Sequence, residues 1–125
     1  MEKIRTHKDL KVYVLAFEVA LQIHEISKSF PPEERYSLTD QIRRCSRSVC
    51  ANLAEAWRKR RYKNHFISKL SDSEAEAAET QVWLDFSLAF KYIDQKMHDK
   101  LYDQCEHIIA ILINMSTSTE NWLIK

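Results

Sequence analysis

The sequence of 125 residues contains no glycine, and its only two prolines are adjacent, at Pro31 and Pro32. Sheets and barrels depend on tight turns with positive φ, a conformation that glycine adopts most easily. A proline pair ends a helix, because proline lacks an amide donor and disfavours helical geometry in the residue before it. A chain with no glycine and one such break is therefore predicted to form long helices joined by very few loops.

Apolar residues recur at the three- and four-residue spacing of amphipathic helices in four segments. We expect helices from about Asp9 to Phe30, from a cap at Ser37 or Thr39 to about Arg61, from a cap at Asn64 to about Tyr92, and after a cap at Asp94. The predicted core stripes are Leu10, Val14, Phe17, Leu21, His24 and Ser27, broadened by Tyr13, Ala20 and Ile23; Leu38, Ile42, Cys45, Val49, Leu53 and Ala56; Phe66, Leu70, Ala77, Trp83, Leu84, Leu88 and Ile93; and Met97, Leu101, Cys105, Ile108, Leu112 and Met115. Four such helices predict a single domain, residues 1–125, that is all-α and folds as an antiparallel up-down-up-down four-helix bundle.

Export and membrane insertion are not expected. The charged N-terminus precedes no apolar run, and the longest apolar run, at 108–113, is far shorter than the roughly 20 residues of a membrane span. Three cysteines without an export signal predict reduced structural thiols in a cytoplasmic protein. Cys45 and Cys50 lie about 140° apart around a helix, so they do not form a zinc site.

The formal net charge of +1 conceals a strong asymmetry along the chain. Residues 1–40 carry a net charge of −1 and residues 70–125 carry −6. Residues 41–69 hold nine basic side chains and one acidic side chain, Glu55, for a net charge of +8. An isolated basic segment of this kind is typical of a surface that meets a polyanion.

The basic residues of this segment fall on one side of the second predicted helix. On a helical wheel the five arginines lie away from the apolar stripe, and three further basic residues follow at the helix end. The predicted nucleic-acid-binding residues are Arg43, Arg44, Arg47, Arg58, Lys59, Arg60, Arg61 and Lys63. Arginines one or two turns apart recur about every 5 to 10 Å, comparable to phosphate spacing along a strand, and each can contact a phosphate through two N–H groups.

Other interpretations of the same residues stay open. The basic segment can be a solvated face that suits the helix dipole, or it can pair with the acidic third helix, where Glu74, Glu76 and Glu79 are available. That pairing can occur within the chain or between subunits. The alternative function is a protein-interaction scaffold, or an accessory subunit, that docks an acidic protein partner.

Catalytic and metal-binding patterns are missing from the sequence. The Glu-x-x-His pairs of di-iron bundles are absent, there is no phosphate-binding glycine loop, and the five histidines are scattered. His98 and His107 follow Asp94 and Asp103 by one turn, which we interpret as surface ion pairs. We expect no enzyme, no metal and no cofactor; a metalloenzyme bundle is the third possibility, which elemental analysis tests.

Four motifs give the sequence a resemblance to a known family: "DLKVYVLAFEVALQI", "FPPEERYSLTDQIRR", "SVCANLAEA" and "EAAETQVWLD". They cover most of residues 9–93 in the right order. The sequence resembles the bacterial four-helix bundle proteins encoded within intervening sequences of 23S ribosomal RNA genes. That family is related to the accessory variability protein of diversity-generating retroelements, a basic pentamer that binds nucleic acid and a reverse transcriptase.

The resemblance implies a homopentameric ring, on which five basic segments would present a charge of about +40. It also implies interhelical hydrogen-bonding roles for Asn52, Glu55 and Glu79, which match recurring polar positions of the family. Glycine is usual in the family at Ala56 and frequent at Lys91, so we expect both helices to continue through those family turns. Because this chain is near neutral, weaker binding to RNA or DNA is expected than for the basic relative.

Overall fold

The computed structural model describes residues 3–124, which form four α-helices and no β-strand. The helices are α1 (Lys11–Ser27), α2 (Leu38–Arg58), α3 (Lys63–Ala89) and α4 (Gln95–Thr117). Short 3-10 turns lie at His7–Asp9, Pro32–Glu34 and Thr119–Asn121. The all-α class with four helices is confirmed. The starts of α2 and α4 follow the predicted residues Ser37 and Asp94, and the other predicted boundaries shift by two or three residues.

The four helices pack around a shared core. Helices α1 and α3 each pack mainly against α2 and α4, so they lie across the bundle from one another. Fully buried side chains come from every helix: Ile23, Ile42, Leu53, Leu84 and Leu112. Burying such a side chain contributes roughly 1.5–3 kcal/mol, so this core is the main source of stability.

The predicted core stripe of α1 is partly wrong. Val14, Phe17 and Leu21 are 49%, 47% and 53% exposed. The buried face of α1 is instead formed by Val12, Ala16, Val19, Ile23 and Ser27. Helix α1 carries apolar residues on two faces, and spacing alone does not decide which of them packs inward. The smaller side chains of Ala16 and Ser27 suit the face that meets the neighbouring helices.

The predicted caps have mixed outcomes. Asp94 caps α4 as predicted, since its Oδ1 accepts from the Met97 amide at 2.8 Å. Ser37 is the N-cap residue of α2, but its hydroxyl donates to Glu34 Oε1 at 2.6 Å and caps no amide. The predicted cap at Asn64 is wrong, because α3 already begins at Lys63 with Tyr62 as its N-cap.

Helix α3 ends in a left-handed residue that is not glycine. Lys91 has φ 65°, and the expectation that the helix continues through this position is wrong. The Lys91 amide donates to the Leu88 carbonyl and the Tyr92 amide to the Ser87 carbonyl, which is the Schellman pattern of a helix end. At Ala56, by contrast, α2 does continue as expected, to Arg58.

Replacing Lys91 by glycine should stabilise the protein. A side chain with a Cβ costs roughly 1–2 kcal/mol in the left-handed region, so K91G is expected to raise the unfolding free energy by about 1 kcal/mol. The matched control is K100G, in the exposed interior of α4, which should lower it by a similar amount. Urea unfolding measures both variants, and destabilisation by K91G would contradict the assignment of this helix end.

His98 joins α3 to α4 through two carboxylates. Its Nε2 lies 2.7 Å from Asp85 Oδ1 and its Nδ1 lies 2.9 Å from Asp99 Oδ1, while the side chain is only 12% exposed. The predicted pairing with Asp94 is therefore wrong. Burial acts to lower the pKa of His98, but the hydrogen bonds to Asp85 and Asp99 outweigh it and raise the pKa above 6.5. The same contact lowers the pKa of Asp99.

The raised pKa predicts a pH-dependent contribution to stability. A folded-state pKa above the unfolded value gives stability that is fully present below pH 6.5 and is lost as pH rises through the folded pKa. The difference in unfolding free energy between wild type and H98Q should thus be larger at about pH 5.5 than at about pH 9. H107Q, at an exposed position of α4, serves as the control. An equal difference at both pH values would contradict the charged form of His98.

Candidate nucleic-acid interface

Helix α2 separates basic from apolar residues. Ile42, Cys45, Val49, Leu53 and Ala56 are buried, while Arg44, Arg47 and Arg58 are exposed and Arg43 is half-buried. The core stripe predicted for α2 is confirmed at every position. The remaining basic residues lie beyond the helix: Lys59, Arg60 and Arg61 follow its last residue, and Lys63 begins α3.

The basic residues form two groups. The N-terminal cluster consists of Arg43, Arg44 and Arg47; the C-terminal cluster consists of Arg58, Lys59, Arg61 and Lys63. Arg47 and Arg58 are eleven residues apart on one helix, which corresponds to about 16 Å. A nucleic-acid strand that contacts both clusters must therefore span several phosphates.

The N-terminal cluster is held by polar side chains of α1. Arg43 Nε donates to Ser27 Oγ at 2.7 Å, and Arg47 Nη2 lies 3.1 Å from His24 Nδ1. Arg44 Nε lies 3.5 Å from Asp40 Oδ2, one turn earlier on α2. Both of these last side chains are solvent-exposed, so this pair contributes little to stability.

The C-terminal cluster is free of partners. Within residues 3–124, the side chains of Arg58, Lys59, Arg61 and Lys63 make no hydrogen bond or ion pair. Four cations close together repel one another, and this repulsion disfavours the folded protein as long as no anion is bound. Such a group is stabilised when an anion binds to it.

Arg60 has a packing role. Its guanidinium lies 3.4 Å from the centroid of the Trp57 ring, and its Nε donates to the Trp57 carbonyl at 2.7 Å. Its Nη1 reaches the Trp122 carbonyl at 3.4 Å, which ties the C-terminal segment to the end of α2. Burial lowers the pKa of Arg60, with the charge of Arg58 adding to the effect. A tryptophan three residues before an arginine at a helix end was the sequence signal for this contact.

Within residues 3–124, the predicted nucleic-acid-binding residues form no ion pair with the acidic residues of α3. In this range Lys69, the last basic residue of the segment and itself on α3, is paired instead: its Nζ lies 3.3 Å from Glu55 Oε2 on α2 and 3.6 Å from Asp72 Oδ2 on α3. Glu76 and Glu79 remain unpaired with any basic side chain in that range. Burial, followed by the neighbouring charge of Glu79, raises the pKa of Glu76.

The three polar residues assigned by the resemblance have different surroundings. Asn52 Oδ1 accepts from Lys69 Nζ at 3.4 Å, and Glu55 pairs with the same lysine, so both link α2 to α3. Asn52 Nδ2 also donates to the Ser48 carbonyl at 2.9 Å. Glu79 instead lies beside Glu76 on its own helix, where its negative charge adds to burial in raising the pKa of Glu76.

The buried thiols are not arranged for chemistry. Cys45, Cys50 and Cys105 are free and buried, and burial raises their pKa values to about 11, about 11 and about 12. A thiol with such a pKa stays protonated and is a poor nucleophile. In the described part of the chain, no three His, Cys, Asp or Glu residues are grouped to hold a metal ion. No helix there is both long and apolar enough to span a membrane.

Two exposed apolar surfaces were not recognised from the sequence. The α1 face consists of Val14, Phe17 and Leu21, and the α3 face consists of Val82, Phe86 and Phe90, which are 47%, 45% and 53% exposed. The α3 residues recur every four positions in the sequence, and this second apolar stripe was the signal from which the α3 face could have been predicted. Beside the α3 face, the buried Trp83 Nε1 has no hydrogen-bond partner in the structure described.

Comparisons with known proteins agree with this architecture. The sequence model of a family described as 23S rRNA-intervening sequence protein matches residues 8–114. A crystal structure of a protein with unknown function from the S23 ribosomal protein family of Bacteroides thetaiotaomicron VPI-5482 is similar, with a TM-score of 0.77 and 27% sequence identity. The alignment covers 86% of this chain and 96% of that chain. No curated protein is significantly similar.

Proposed function

Because the chain belongs to the family of 23S rRNA-intervening sequence proteins, we propose that it is a non-catalytic oligomeric bundle that binds RNA, or less selectively other nucleic acid, through the two basic clusters. The family resemblance drawn from the four motifs is confirmed by this match. The observation that carries the binding proposal is the unpaired C-terminal cluster, together with an N-terminal cluster that makes no ion pair to the acidic α3 helix in the part of the chain described.

The proposed bundle topology is antiparallel, up-down-up-down. Four residues separate α2 from α3 and five separate α3 from α4. Connections of this length join neighbouring helices that run in opposite directions. The contacts of α1 and α3 with both α2 and α4 support the same arrangement.

The proposed assembly is a homopentameric ring. The α1 face and the α3 face point outward from helices that lie across the bundle, so each subunit offers two different apolar surfaces. When the α1 face of one copy packs on the α3 face of the next, the contact is heterologous and repeats until the ring closes. We also propose a cytoplasmic location, which the three free cysteines support.

Binding to a short structured RNA and to duplex DNA, titrated across salt concentration, tests the proposed function. Affinity should fall steeply with salt, with a log–log slope of about −0.9 for each phosphate neutralised on a duplex. A slope of zero, or no binding at low salt, would contradict the proposal. Binding of both ligands with equal affinity would identify the bundle as an unselective nucleic-acid binder.

A protein-interaction scaffold is the second candidate, favoured by the exposed α1 and α3 faces. In that case the basic clusters dock an acidic protein partner or a neighbouring subunit. Charge reversal of the arginines would then disrupt assembly, and the wild type would show no RNA binding for the reversal to remove. Sedimentation of wild type and of the reversed variant distinguishes the two functions.

A further inference from the structure

A basic cavity of about 450 Å³ lies where the end of α1 and the Pro32–Glu34 turn meet the beginning of α2. Five basic side chains, two hydroxyls and one carboxylate line it: Lys28, Arg35, Arg43, Arg44, Arg47, Ser27, Thr39 and Asp40. The single carboxylate cannot neutralise five cations. A concave surface with one sign of charge concentrates the electrostatic field more than an open face does.

Arg43 is positioned in this cavity by a buried hydroxyl. Its Nε donates to Ser27 Oγ at 2.7 Å, and Ser27, only 3% exposed, in turn donates to the His24 carbonyl at 3.1 Å. The two terminal nitrogens of Arg43 have no partner within residues 3–124. A guanidinium held in this way retains two parallel N–H groups, the geometry that matches a phosphate.

The neighbouring groups add to the positive potential. Arg47 Nη2 donates to His24 Nδ1 at 3.1 Å, which fixes the second arginine at the cavity wall. Thr39 lies in the first turn of α2, where the helix dipole is positive. Lys28 and Arg44 each contact one exposed carboxylate, Glu25 and Asp40, so their charges are only partly compensated.

We propose that this cavity binds one phosphate group, with Arg43 as its two-pronged ligand and Arg35, Arg47 and the Thr39 hydroxyl around it. A tetrahedral dianion matches both the charge excess and the several donor directions. The phosphate can belong to a nucleic-acid strand or be free. The first case rests on the proposed function, and the second does not.

Titration with inorganic phosphate at constant ionic strength tests the site, followed by NMR of backbone amides and arginine Nε groups. Saturable shifts are expected at Ser27, Thr39 and Arg43. R43Q should weaken phosphate binding by at least about tenfold, and the charge-preserving R43K should weaken it as well, because the planar fork is lost. The control K100Q, at an exposed position of α4 outside the cavity and both clusters, should bind as wild type. Shifts spread over all basic residues, or wild-type affinity in R43K, would overturn the site.

Oligonucleotides of one sequence, with a 5′-phosphate or a 5′-hydroxyl, distinguish the sources. If the 5′-phosphorylated oligonucleotide binds more tightly and R43Q removes that preference, the cavity binds a terminal phosphate. If both oligonucleotides bind equally and R43Q weakens the binding of both, the cavity binds a backbone phosphate. Phosphate binding without RNA binding keeps the site and removes the proposed function. RNA binding without phosphate binding at the cavity overturns the site alone.

Discussion

Reversing four arginines together, in the variant R43E, R47E, R58E and R61E, is expected to abolish binding of structured RNA while the bundle stays folded. The loss should be at least about a thousandfold at low salt, because several phosphate contacts become repulsions. Folding should survive because Arg47, Arg58 and Arg61 are exposed. Ser27, the partner of Arg43, keeps its own hydrogen bond to the His24 carbonyl. Filter binding measures the affinity and circular dichroism measures the fold.

A control with the same change in charge separates a local surface from net charge. The variant K8E, K11E, K96E and K100E reverses four exposed lysines outside both clusters. It should weaken binding far less than the arginine variant does. Equal loss in both variants would mean that only net charge matters, and retained binding in the arginine variant would remove the two clusters from the interface.

The fold of α2 was predictable because its exposed face carries the arginines Arg44, Arg47 and Arg58. A guanidinium is almost never fully buried without a partner, so the opposite face had to be the core. Ile42, Val49 and Leu53 were placed correctly for this reason. The strong contrast between faces made the sequence pattern unambiguous.

Helices α1 and α3 were harder to predict for opposite reasons. Helix α1 has too many apolar residues, and the choice between its two faces depends on how it docks against α2 and α4. Helix α3 buries small polar residues such as Ser73, which donates to the Val49 carbonyl at 2.8 Å. A buried serine that bonds across helices lacks the apolar signal on which a periodicity argument depends.

The partners of charged side chains were not predictable from the sequence. They depend on the rotation of each helix, which spacing does not fix. Lys69 bridges Glu55 and Asp72, whereas the acidic α3 residues that were expected to meet the arginines do not. Arg60 was among the predicted nucleic-acid-binding residues, and its guanidinium stacks on the Trp57 ring.

The second large expected effect concerns assembly. F17D in the α1 face and F86D in the α3 face should each convert the proposed ring to monomers. A charge in the centre of an apolar contact commonly costs roughly 2 kcal/mol or more of association free energy, and every interface of the ring would contain such a charge. I113D, at a 46% exposed apolar position of α4 outside both faces, is the matched control and should leave the assembly intact. Sedimentation velocity measures the masses, and a monomeric wild type would contradict the ring.

Mixing the two variants tests how the faces pair. In a heterologous contact, the intact α1 face of F86D can pack on the intact α3 face of F17D, while the other two faces carry a charge. The mixture should therefore form a heterodimer and nothing larger, although each variant alone is monomeric. If like faces paired instead, each variant alone would remain a dimer through its unaltered face. Dimers of the separate variants would thus exclude the head-to-tail contact on which ring closure depends.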